Sequence, residues 1–109
     1  MGLTKTDLYS EEQLMIAELA RAMAHPARVA IIQFLMTKST CITGDIVNEI
    51  GLAQATISQH LRVLKDVGLI RGTIEGTSVC YCINPGKWNE CQKVLSLFLS
   101  GSAEANDCC

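Results

Sequence analysis

Residues 43–68 restrict the fold of this chain more than any other stretch. Two short segments with helical periodicity are separated there by the three residues Gly51-Leu52-Ala53. The first runs from a capping residue at Thr43 through Ile46, Val47 and Ile50. The second starts near Gln54 and stops before Gly68. Two short helices joined by a glycine-containing turn of three or four residues form a helix-turn-helix. At 100° per residue Ile57, Leu61 and Leu64 of the second segment fall in one narrow sector with Val67 beside it, which predicts the face turned to the core.

The flanking segments extend this pattern. Ser10 is a good N-cap for a helix over Glu11 to Ala24, with Glu11 and Glu12 in its first turn where the helix dipole favours acids. Leu14, Ile16, Leu19, Ala20 and Met23 cover much of its circumference. His25-Pro26 ends it, and Pro26 suits the first position of a second helix through about Thr37. That helix is expected to bury Val29, Ile32, Phe34 and Leu35 or Met36. After Gly68 the period changes. Leu69 to Ile74, a turn at Glu75-Gly76-Thr77, and Ser78 to Ile83 predict a β-hairpin. Pro85 then opens a last helix to about Leu99, with Trp88, Val94, Leu95, Phe98 and Leu99 apolar. The fold class is mainly α with a small β-hairpin, a winged helix-turn-helix.

Composition supports one folded unit. The chain has 109 residues, 49% hydrophobic and 18% charged, enough for a single core and too short for two. We divide it into a folded domain over 1–100 and a flexible cysteine-containing tail over 101–109. The longest apolar run, Val29 to Met36, is broken by Gln33 and is far below the ~20 residues that span a bilayer. Asp7, Glu11 and Glu12 near the start, with no basic-then-apolar leader, predict a cytoplasmic protein without membrane contact.

The outer face of the Gln54–Val67 helix carries the chemistry of base reading. Ala55, Ser58, Gln59 and Arg62 fall opposite the apolar sector. Gln59 is suited to pair bidentately with adenine and Arg62 with guanine or phosphate. Gln54 and Thr56 lie at the helix N-terminus, where exposed N–H groups favour phosphate. His60 projects near the core side, leaving packing and a DNA contact both open. Arg71, at the base of the hairpin, is the best phosphate contact of a wing. The formal charge of −2 does not help, since double-stranded DNA usually selects basic proteins. Arg62, Lys65 and Arg71 against Asp66 and Glu75 leave the middle segment one positive charge in excess.

These segments resemble the ArsR/SmtB family of bacterial metalloregulatory repressors. AHPARVAIIQFL, ISQHLRVLKDVGLI and EGTSVCYCINP carry the likeness, which covers roughly residues 14–99. The resemblance implies a homodimer built on the first and last helices, no enzymatic activity, and two recognition helices in successive major grooves of a near-palindromic operator. Both outer helices are more apolar than one buried stripe requires, as dimerisation helices would be. The hairpin tip departs from the family: Thr73, Ile74, Glu75 and Thr77 are neutral or acidic, predicting weaker wing contacts and a shallower salt dependence.

Six cysteines are many for a small cytosolic chain and point to metal binding or thiol chemistry. Two sensing sites known in the family are missing. The C-x-C-x-x-C run at the start of the third helix is replaced by Ile42-Thr43-Gly44-Asp45-Ile46-Val47. The Asp/His/Glu zinc site on the last helix lacks its histidine. A third arrangement is available: Cys91 on the last helix with Cys108 and Cys109. The tail is long enough to return to Cys91, because nine or ten residues extend about 30 Å. Three thiolates suit As(III) or Sb(III) as inducer, whereas Zn(II) wants a fourth ligand. Cys80 and Cys82 alternate with Val79, Tyr81 and Ile83 and so point to the opposite strand face, as a metal or redox pair. Cys41 is expected as a small buried apolar residue. Two alternatives remain: a repressor of the same fold that responds to oxidation or persulfide, and a thiol metal carrier.

Overall fold

The computed structural model describes residues 5–38, 41–75 and 78–101. The element order is α1 (Lys5–Leu8), α2 (Glu11–Ala22), α3 (Pro26–Thr37), β1 (Cys41–Ile42), α4 (Thr43–Ile50), α5 (Gln54–Asp66), β2 (Ile70–Glu75), β3 (Ser78–Ile83) and α6 (Pro85–Leu99). Helices α4 and α5 with the β2–β3 hairpin make the winged helix-turn-helix.

Local signals set most boundaries. Ser10 and Gln13 form a reciprocal capping box at the start of α2, with Ser10 Oγ accepting from Gln13 N and Gln13 Oε1 from Ser10 N. Pro26 occupies the first turn of α3, capped by the His25 side chain. Asn84 caps α6 ahead of Pro85. Gly51 and Gly68 both have positive φ, and each ends a helix. Gly68 closes α5 in a Schellman motif: its N–H reaches Lys65 O, and Leu69 N–H reaches Leu64 O. This turn satisfies two end carbonyls and swings Leu69, fully buried, from helix into sheet.

The core forms where α2, α3, α4, α5, the hairpin and α6 meet. Ile31, Leu35, Ile46, Ile57, Leu61, Leu64, Leu69 and Ile70 are its largest fully buried side chains. Burial of each such aliphatic chain is worth about 1.5–3 kcal/mol. The Ile57, Leu61, Leu64 and Val67 sector of α5 faces this core as its periodicity predicts.

Several expectations need correction. Helix α2 ends at Ala22, with Met23 as its C-cap, two residues before the expected stop. In α3, Val29 is exposed while Ala27 and Ile31 are buried, and of the pair Leu35 and Met36 it is Leu35 that turns inward. Helix α3 is apolar on nearly every side, so its pattern alone leaves the inward face undecided. The hairpin also gains a third strand: β1 pairs antiparallel with β3, in the order β1-β3-β2. A two-residue strand has too little pattern to be seen in sequence. Glu75 lies in β2 and pairs with Ser78; Gly76 and Thr77, the rest of the expected turn, fall outside the described residues. Residues 102–109 of the expected 101–109 tail also lie outside them.

Candidate nucleic-acid interface

Helix α5 presents an exposed polar face and an N-terminus without a side-chain cap. Gln54, Ala55, Thr56, Ser58, Gln59 and Arg62 are all exposed. They share this surface because the opposite sector is held in the core. Side chains cap α2, α3 and α6, but the α5 N-cap is Ala53 and makes no side-chain hydrogen bond. The first-turn N–H groups of α5 therefore have no side-chain acceptor and keep their capacity for an anionic oxygen. Arg71 is exposed on β2, at the base of the wing.

His60 does not join this face. It is 9% exposed, and its ring centroid lies 4.4 Å from that of His25. The structure accounts for its position through Arg28, which the sequence reading left without a role. Arg28 Nε donates to Ala22 O and Nη2 to Arg21 O at 3.1 Å. These are carbonyls at the end of α2, where a cation also meets the negative end of the helix dipole. Arg28 Nη1 reaches His60 Nδ1 at 3.2 Å. A guanidinium only donates, so Nδ1 of His60 is the acceptor and the neutral ring carries its proton on Nε2. His25 Nδ1 likewise accepts, from Ala27 N at 3.0 Å. Burial pushes the His60 pKa down from its ordinary value, with His25 and Arg28 adding to the effect. Arg28 thus ties the end of α2 to the middle of α5 and fixes where α5 sits. No helical periodicity reveals a contact between residues 28 and 60.

The cysteines are dispersed. Cys91 is 3% exposed, turned from α6 towards α2, and burial pushes its thiol pKa up, with Lys87 opposing. It contributes to the wall of a groove of about 150 Å³ lined also by Leu19, Met23, Trp88, Leu95 and Leu99. Cys91, the helix thiol of the expected site, is therefore buried: α6 packs on α2 through this side. Cys108 and Cys109 lie outside the described residues. Cys80 and Cys82 are half-buried on β3. Cys41 pairs in register with Tyr81, and its side chain lies outside those described. Among the described residues no three His, Cys, Asp or Glu side chains form a metal-binding group. No helix among them is long and apolar enough to cross a membrane.

Comparison with known proteins agrees with this arrangement. Residues 25–71 match the family described as bacterial regulatory protein, arsR family. The HTH-type transcriptional repressor SmtB of Mycobacterium tuberculosis is 38% identical over 64 residues, 59% of this chain and 47% of that protein. The matched stretch is thus about half the length of that relative. An uncharacterized HTH-type transcriptional regulator of Methanocaldococcus jannaschii is 32% identical over 79 residues, 72% of this chain and 89% of the relative. The crystal structure of NolR from Sinorhizobium fredii superposes with a TM-score of 0.67 at 26% identity, over 94% of this chain and 99% of that one.

Proposed function

The chain belongs to the ArsR family of bacterial regulatory proteins, a family of transcriptional regulators, and from that premise we propose that it is an operator-binding repressor acting as a homodimer. The observation that carries this reading is the open face of α5: Ser58, Gln59 and Arg62 outward and an N-terminus without a side-chain cap, with an exposed arginine on the wing. Two such helices related by a dimer axis would enter successive major grooves, with Gln59 and Arg62 reading base edges and Gln54, Thr56 and Arg71 holding phosphates. His60 serves by positioning α5 and not by touching DNA.

Dimerisation is supported by the outer surface of α6. Leu97, Phe98 and Leu99 are 70%, 56% and 68% exposed, a contiguous apolar end that a solvated monomer would leave wet.

The inducer in this reading is As(III) or Sb(III), held by Cys91 with Cys108 and Cys109. A soft trivalent ion with three exchangeable positions matches three thiolates. Because Cys91 is buried between α6 and α2, capturing it requires the α2–α6 groove to open. The same helices carry the dimer contact, so ligand binding and the spacing of the two α5 helices are coupled. Couplings of this kind are typically about 1–3 kcal/mol. The test is an operator mobility shift with arsenite. Arsenite should release DNA from the native protein and leave it bound to the C91S/C108S/C109S variant. Release that survives the triple substitution removes this site, and absence of specific operator binding removes the repressor reading itself.

A further inference from the structure

Arg28 is the one charged side chain of α3, and its guanidinium spans three acceptors on two other helices. Nε and Nη2 donate to the carbonyls of Ala22 and Arg21 at the end of α2, and Nη1 donates to Nδ1 of His60 at 3.2 Å. The buried contacts of Ile57, Leu61 and Leu64 hold α5 in the core, but such contacts are non-directional. A planar fork bonded at three points fixes angle as well as distance. Any rotation of α5 about its axis carries Gln59 and Arg62 with His60. The fork therefore sets the outward polar face of α5 relative to α2, the helix that packs on α6.

We propose that Arg28 and His60 are positioning residues for DNA reading, and that their link is a proton-sensitive clasp, closed while His60 is neutral and open once it is charged. Nδ1 of His60 accepts from Arg28 only while it carries no proton. A proton there sets donor against donor and one cation beside another. The His25 ring, its centroid 4.4 Å away, offers no relief, because its own Nδ1 is engaged in capping α3 at Ala27 N. Burial disfavours the charged His60 ring first, and His25 at the α2–α3 junction and Arg28 on α3 add to it. Arg62, Lys65 and Asp66 of α5, Asp45 and Glu49 of α4, and Arg71 of β2 are exposed. No carboxylate among the described residues offsets the two cationic neighbours. The proton is therefore accommodated by releasing Arg28, which frees α5. A free chain can relax in this way, whereas a chain on DNA has α5 held against the bases. The free chain thus takes the proton more readily than the complex, and affinity falls as pH drops below about 6.5. This sign is opposite to the ordinary one, since acid makes a protein more positive and favours its binding to a polyanion. The effect on DNA rests on the operator-binding reading; the clasp itself does not.

The probe is a DNA duplex selected from a random-sequence pool for tight binding to the native full chain at about pH 7.5. At fixed salt, the affinity of the native chain for it should fall on the order of tenfold between about pH 7 and pH 5.5, with sedimentation unchanged. His60→Asn keeps an acceptor for Arg28 that does not titrate. It should bind as the native chain does at the higher pH and keep that affinity at the lower one. Arg28→Lys cannot span the three acceptors. It should bind about tenfold more weakly at the higher pH, with circular dichroism unchanged and little further loss in acid. Imidazole nitrogen NMR of the native chain without DNA should place the neutral His60 proton on Nε2 and show Nδ1 titrating below about 6.5. That readout stands if a variant does not fold. The clasp is overturned if native affinity holds or rises in acid, if His60→Asn loses affinity as the native chain does, if Arg28→Lys binds like the native chain, or if the neutral ring carries its proton on Nδ1. If no duplex can be selected, the repressor reading falls together with the effect on DNA, and the NMR tautomer and titration alone decide the clasp.

Discussion

Helices α5 and α6 are similar in length and opposite in design. Helix α5 buries Ile57, His60, Leu61 and Leu64 and shows polar side chains to the outside. Helix α6 buries only Cys91 among its residues and shows Leu97, Phe98 and Leu99 outward. A helix with one apolar stripe is complete once packed on its own core. A helix that is still apolar after packing has a second surface to cover. In the proposed function α5 meets a polar, anionic partner and α6 another protein surface, and the two proposals can be broken separately.

The largest effect is expected on α6. L97E/F98E should convert a dimer into a monomer by sedimentation. Operator affinity should drop by about two to three orders of magnitude, because the second half-site loses its tethered partner. If the variant stays dimeric, α6 is not the covering surface. Next comes Arg62→Ala, which should cost about 1–3 kcal/mol of operator binding while leaving thermal stability and dimerisation unchanged. A loss of the dimer in this variant would blur the division between the helices.

The third prediction concerns the anchor of α5. The His60 pKa is held below its ordinary value in the folded chain, so the unfolded chain takes that proton first. Stability present above about pH 6.5 is therefore lost as pH falls through 6.5 towards the lower folded pKa. Thermal denaturation between pH 7.5 and 5.5 should show this loss in the native chain and a smaller one in His60→Gln. Equal pH slopes would mean that His60 does not sense the proton. The smallest effect is a trade. Ala53→Ser should add a side-chain cap and stabilise the fold by about 0.5–1 kcal/mol. It should also weaken operator binding, by occupying an N–H that phosphate would use. A gain in both would show that the open N-terminus has no part in binding.

Much of this was legible in the residues. Caps, prolines and glycines act over three or four positions, so Ser10, Pro26, Gly68 and Pro85 mark the same helix ends in sequence and in structure. The α5 sector is equally local, since Ile57, Leu61 and Leu64 recur at helical spacing among polar residues. The outward placement of Gln59 and Arg62 follows from the same spacing, because the opposite sector is apolar. His60 was ambiguous for the same reason: it sits at the edge of the sector, where angle alone decides nothing.

The sequence by itself determined the kinds of elements, most of their order and the outward polar face of α5, because short-range spacing and backbone chemistry suffice for those. Only the tertiary structure decided which side of α3 turns inward, that β1 joins β3, that Arg28 links the end of α2 to His60, and that Cys91 is buried against α2. Those outcomes depend on surfaces far apart in the chain. Helices α3 and α6 offer more than one apolar face, and packing selects among them by what the neighbouring element brings.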